Sequence, residues 1–373
     1  MAFKNVLRKA AVSIALLTML AGSTSSVTQN FSIDKEYAIR RTKGEVSKPD
    51  IKKVYLVSRI NEETYSTSHK HTRLEDNVRL GLVVEAMVDG EKIYFSESDK
   101  VIINNKKTEA KPWVYGDVTI TWYKVEAEKS SYNNWEEGWF SLDTPTYKKT
   151  KISEGKDWSI LADAKPTEKL KDVNEGLGTI RYKVEFYYNG KKVSTPGKES
   201  TDYQGITNDV HRISFRKDDR FTGWLTSFFN LPYIYGNTEY QVENSIGMDC
   251  ADFVVLGYRK AGHNIPYTHV TGLYKYSDII AKEKDVKITN DDFYHKGKPL
   301  AFGKDVKEGD LLIFANSHVG VLYKDKSDPN GKFKGKADGI LNKYDLMIHI
   351  YFDNPKYESL DYCTSFSVLR LKK

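Results

Sequence analysis

Polar and apolar residues alternate along much of the first half of this 373-residue chain. Ile180, Tyr182, Val184 and Phe186 fall on one face of an extended segment, while Arg181, Lys183 and Glu185 fall on the other, the period of a half-buried strand. Residues 53–57, 79–87, 93–95 and 118–123 also read as strands, the last placing Trp122 in a central one. Asp89-Gly90 and Asn189-Gly190 follow such runs. A two-residue hairpin turn needs positive φ at both positions, so each pair predicts a tight hairpin. Past about residue 208 the period changes. Cys250, Phe253, Val254, Gly257, Tyr258 and Ala261 recur at helical spacing, which predicts an amphipathic helix opening on Cys250. Asp249 supplies the N-cap, Asp252 adds negative charge to the first turn, and Gly262 is the stop. Short apolar strands follow, over residues 311–314, 318–323 and 346–352.

These patterns predict an α+β protein. Residues 50–205 read as an all-β, immunoglobulin-like sandwich with Trp122 in its core. Tyr182-x-Val184 resembles the tyrosine-corner strand of that fold, with Val where Cys is usual. Residues 130–175, which include Trp135, Trp139 and Trp158, are irregular; the aromatics are expected to anchor loops more than to contact sugars. His69 and His71 lie on a polar segment without a ligand pattern around them, so a solvated loop is expected there and no metal. Gly, Thr, Asp and Asn cluster over residues 200–208 and predict a boundary, with a second domain over 206–373 that begins with a short helix at 224–229.

The start of the chain bears on its compartment. Lys4, Arg8 and Lys9 precede an apolar run at residues 10–21, followed by Gly22, Ser23, Thr24, Ser25 and Ser26, the order of a secretory signal peptide over residues 1–26. Twelve apolar residues are few for a bilayer span, so no stable membrane span is expected once the signal is removed. Residues 27–49 read as a polar lead-in or linker. A secreted, periplasmic or envelope-associated protein follows. The net charge of +6, from 57 basic and 51 acidic residues spread along the chain, argues against a nucleic-acid binder but suits loose contact with an anionic envelope, made through the β domain.

Cys250 and Cys363 are the two cysteines. A thiol on the first turn of a helix sits at the positive end of the dipole, which favours the nucleophilic thiolate. Two other readings stand beside that one: a small buried hydrophobe on the core face of the helix, and a disulfide to Cys363. The His residues bear on the choice. His318 opens one apolar strand and His349 lies within another, and a Cys thiol beside a His is the minimal activated nucleophile.

Pro232-Tyr233-x-Tyr235-Gly236, Met248-Asp249-Cys250-Ala251-Asp252-Phe253, Gly309-Asp310-Leu311-Leu312-Ile313-Phe314 and His318-Val319-Gly320-Val321 together resemble, in order, the motifs of the NlpC/p-sixty cell-wall cysteine peptidases. The resemblance implies a papain-like domain, a helix packed on an antiparallel sheet, over roughly the last 150 residues. It implies Cys250 as nucleophile, His318 as base and His349 as the residue that orients it. It also implies that Tyr233 and Asp249 hold the free amine of a peptidoglycan stem peptide, with Ala251 and Asp252 lining the same site where the family has Ser and Gly. The expected activity is cleavage of an amide bond in that peptide through a thioester acyl-enzyme, with no cofactor. The alternative, suggested by Ala251, Asp252 and the long polar insert at residues 324–343, is an envelope-binding or adhesion protein that keeps the fold without the chemistry.

Overall fold

The computed structural model describes residues 47–136, 139–167 and 174–372, with the backbone alone for residues 134–141. The signal peptide expected at 1–26 and nearly all of the lead-in at 27–49 lie outside the described residues, as do the side chains of Trp135 and Trp139. Residues Pro49–Lys373 make up one compact unit.

Two sheets dominate the first part of that unit. One is seven-stranded and centres on Asp50–Ile60 and Val78–Val88. The other is six-stranded and centres on Thr119–Ala127 and Gly178–Tyr188. Both predicted hairpins form. Asp89 and Gly90 take φ of 52° and 84°, and Asn189 and Gly190 take 48° and 79°, the left-handed pair that lets each chain reverse in two residues. The two sheets meet through aromatic side chains: Trp113 packs edge-on against Phe95 at 5.3 Å and against Phe186 at 5.4 Å. Trp122 is fully buried, and Tyr182 donates its hydroxyl to the Asp163 carbonyl.

His69 and His71 depart from expectation. They lie in and beside the strand Lys70–Arg73, which pairs parallel with Arg212–Arg216, and they are half-buried rather than solvated. His69 accepts from the Arg212 N–H at 3.1 Å, and His71 packs edge-on against Trp224. The alternation rule missed this because long-range parallel pairing covers a strand whose own sequence is polar. The six-stranded sheet thus runs on to Arg216, and the short helix beyond it is Phe221–Thr226.

The last part is a six-stranded antiparallel sheet in the order Ser277–Ala281, Ser367–Leu371, Leu311–Phe314, His318–Lys324, Leu346–His349, Lys356–Ser359. The helix Cys250–Lys260 lies on it. Phe253, Val254, Val255 and Leu256 are buried with Leu311, Ile313, Val319, Val321 and Ile348 in one cluster. Burying each of these helix side chains contributes roughly 1.5–3 kcal/mol, which makes this face the platform of the domain. Gly320 lets the His318 strand approach its neighbour, since a Cβ there would stand 2.6 Å from Met347 Sδ. The polar insert between the two histidine strands is pinned by carboxylates. Asp325 accepts from the Asp338 and Gly339 N–H groups at 3.0 and 2.9 Å, and Asp345 from Lys326 and Asn342 at 2.7 and 2.9 Å. These side-chain caps return the chain to the sheet next to the strand it left. Among the described residues no helix is long and apolar enough to cross a membrane.

Candidate active site

Cys250 is the first residue of its helix, as the periodicity predicts. Asp249 caps it: its Oδ1 accepts from the Ala251 and Asp252 N–H groups at 2.9 and 3.0 Å. The thiol is 5 % exposed and its sulfur lies against the backbone N–H of Val319, so it faces the strand that His318 opens. Cys250 and Cys363 are both free and belong to different core clusters.

The two histidines come together across adjacent strands. His318 Nε2 stands 2.9 Å from His349 Nδ1, and both rings are buried. His318 Nδ1 is buried without a hydrogen-bond partner, while Phe314 and Tyr351 cover the ring faces at 5.7 and 4.5 Å. Tyr233 is buried beside Cys250 and Asp249, and Phe352 packs against it in a tilted arrangement, with ring centres 4.8 Å apart. Tyr351 and Phe352 are half-exposed, and together they form an aromatic lip beside His318 and Tyr233. Phe352 holds φ of 50°, a strained conformation for a bulky residue. Ala251 is buried in the core cluster and its N–H is engaged by Asp249. Asp252 is near Asn237 and Asp249.

Burial sets the proton inventory. The helix start predicts a stabilised thiolate, and the N–H groups of Val319, Cys250 and Ala251 do pull that way. Burial, helped by the Asp249 carboxylate, outweighs them and pushes the thiol up to about 12. Burial also lowers His318 to about 3 and His349 to about 4. Burial thus disfavours the charged form of the thiol and of both imidazoles alike. Burial and then Asp249 raise Asp252 to about 7, while burial raises Asp249 against the Ala251 and Asp252 N–H groups and the Asp252 side chain, which favour its charge. The sign gives a test. Mass-mapped alkylation at Cys250 is expected to accelerate nearly tenfold per pH unit between about pH 6 and pH 9, because the thiolate fraction grows toward a high pKa. A rate already flat by pH 7 would show a resting thiolate instead.

Two features had no signal in the sequence. The first is Asn133, from the all-β part of the chain. Its Oδ1 accepts from the Tyr235 N–H at 2.8 Å and its Nδ2 donates to the Tyr235 carbonyl at 3.3 Å. One step earlier, the Tyr233 N–H donates to Ser130 O at 2.8 Å and the Tyr132 N–H to Tyr233 O at 3.1 Å, while Ile234 and Met248 bond on the other side. Residues 130–133 therefore lie along the edge that carries Tyr233. The second is Glu358, whose Oε2 is 2.9 Å from His349 Nε2. It follows His349 by nine residues in a polar strand, and no motif marks it.

Among the described residues no group of three or more His, Cys, Asp or Glu is placed to hold a metal ion. No curated protein and no solved structure matches the chain. One family model does: residues 230–341, a stretch that contains Tyr233, Asp249, Cys250 and His318 and ends before His349 and Glu358, match the NlpC/P60 family.

Proposed function

We propose that this protein is a secreted cysteine hydrolase that cuts an amide bond in a peptidoglycan stem peptide. A match to the NlpC/P60 family implies a cell-wall peptidase-like function, and family members are typically cysteine peptidases or amidases. The observation that carries the finer reading is the placement of the Cys250 sulfur against the His318 strand, with His318 bonded in turn to His349 at 2.9 Å. On this reading residues 1–26 are the signal peptide, and the β domain expected at 50–205 extends through the strand Arg212–Arg216 before the papain-like hydrolase domain begins.

The chemistry follows from a neutral pair. As Cys250 attacks the scissile carbonyl, its proton passes to His318, so the charged thiolate never has to exist alone in a buried site. The oxyanion is held by the Cys250 backbone N–H and the Tyr233 hydroxyl, whose pKa burial and its anionic neighbours raise, so it stays a donor. His318 then protonates the leaving amine, and water attacks the thioester with the same base. Asp249 and Asp252 present negative charge to the peptide's free ammonium, a cation that would let both carboxyls ionise.

Incubation with purified peptidoglycan tests this directly. Mass analysis is expected to find fragments cut within the stem peptide; fragments cut only at the glycan–peptide junction or within the glycan would overturn the stem-peptide reading. Intact peptidoglycan would favour the binding-protein alternative. Asn133→Ala removes the template for Tyr235 and is expected to raise KM about fivefold, the equivalent of about 1 kcal/mol, with kcat nearly unchanged. An unchanged KM would show that the β domain does not shape the substrate edge.

A further inference from the structure

We propose that Glu358 is a positioning residue of this site: acting through His349, it decides which nitrogen of His318 is left bare to take the Cys250 proton. The proposal rests on the cysteine-hydrolase reading and adds to it a residue that lies outside the matched segment.

Two contacts lead from Glu358 to an unpartnered nitrogen. Glu358 Oε2 stands 2.9 Å from His349 Nε2, His349 Nδ1 stands 2.9 Å from His318 Nε2, and His318 Nδ1 is buried with no hydrogen-bond partner. The sheet register builds this arrangement. Lys356 lies directly across from His349, and Glu358, two residues on, shares its face. The first contact is within ion-pair distance, but His349 Nε2 does not form a hydrogen bond of good geometry there.

A neutral imidazole has one donor and one acceptor nitrogen, and a carboxylate only accepts. Glu358 therefore places the His349 proton on Nε2. His349 Nδ1 is then an acceptor, which places the His318 proton on Nε2. The lone pair of His318 is left on Nδ1, the nitrogen with no other partner. In the opposite arrangement two lone pairs would face each other at the carboxylate, and His318 Nδ1 would already carry a proton and could not act as a base. When the Cys250 proton arrives at Nδ1, the new positive charge is met through His349 by the Glu358 carboxylate, with no second proton transfer needed.

The surroundings keep that carboxylate charged. Burial works against it, but the Lys356 ammonium at 3.2 Å, His349 and the Tyr362 hydroxyl hold it below the usual range. Around His349 the charged groups are Glu358, Lys356 and Asp353, with neutral His318 on its other side.

The full chain tests the proposal by two independent readouts. In Glu358→Ala, kcat on stem-peptide fragments is expected to fall roughly 10–100-fold with KM within about twofold, by analogy with the loss when the outer partner of a metal-ligating His is removed. Glu358→Gln, whose Oε1 still accepts, is expected to recover most of that loss. Nitrogen-15 NMR of the imidazoles, at matched folded content, is expected to show both rings protonated on Nε2 in the parent and in Glu358→Gln, and mixed tautomers in Glu358→Ala. Unchanged tautomers in Glu358→Ala, or an unchanged kcat, would overturn the proposal. If the parent protein cuts no stem peptide, the hydrolase reading fails, and the tautomer measurement alone decides whether Glu358 orders the two histidines.

Discussion

Replacing Cys250 by alanine is expected to abolish release of stem-peptide fragments, with kcat down by up to about 10⁶-fold, the loss found when the nucleophile of a serine protease is removed. On the proposed function the loss falls on kcat, because Tyr233 and Asp249, the residues proposed to meet the peptide, are untouched. The fold should survive the change. Alanine keeps the helix start, and the thiol it replaces is a small group at the edge of a cluster dominated by Phe253, Val254 and Leu256. Circular dichroism and urea unfolding within about 1 kcal/mol of the parent would confirm that the loss is chemical. Fragment release at the parent rate would remove Cys250 as the nucleophile, and with it the neutral Cys–His mechanism.

Arg370→Ala is expected to destabilise the protein by about 3 kcal/mol without touching the site chemistry, as measured by urea unfolding. Asp310 is 1 % exposed, and its carboxylate is satisfied by two Arg370 nitrogens, at 2.8 and 2.7 Å, and by the Lys307 N–H at 2.9 Å. Removing the guanidinium leaves a buried charge with one neutral donor, which costs more than the pair itself contributes. The double variant Asp310→Leu with Arg370→Leu is therefore expected to regain most of the loss. A single-variant cost below about 0.5 kcal/mol would show that the pair is screened like a surface bridge. The result bears on function because of where the pair sits. The Asp310 carbonyl accepts from the Leu322 N–H at 2.8 Å, and the Gly309 N–H donates to the Leu322 carbonyl at 2.8 Å, which ties together the hairpin that presents His318. In the Gly309-Asp310 motif, the aspartate is thus a structural anchor for the hairpin that carries His318.

The motif order placed Tyr233, Asp249, Cys250, His318 and His349 in one region, and the structure sets Tyr233 beside Cys250 and joins His318 to His349. Ala251 is buried in the same cluster as Cys250 and Tyr233, while its neighbour Asp252 lies beside Asn237 and Asp249. Thiol ionisation was not legible in the string. Helix polarity is a local property and argues for thiolate, whereas the degree of burial and the nearness of Asp249 are set by everything packed around the cleft.

By itself the sequence determined what near neighbours decide: the left-handed turns at Asp89-Gly90 and Asn189-Gly190, and the helix that opens on Cys250 behind its Asp249 cap. Such features depend on the φ preferences, capping groups and apolar spacing of a few adjacent residues, all written in the string. Only the tertiary structure decided that Asn133 braces Tyr235 from 102 positions away, that Arg212–Arg216 pairs with the polar strand carrying His71, and that Glu358 stands behind His349. Those pairings follow from the register in which distant strands meet. Register is chosen by the packing of whole faces, so no short stretch of the chain carries its signature.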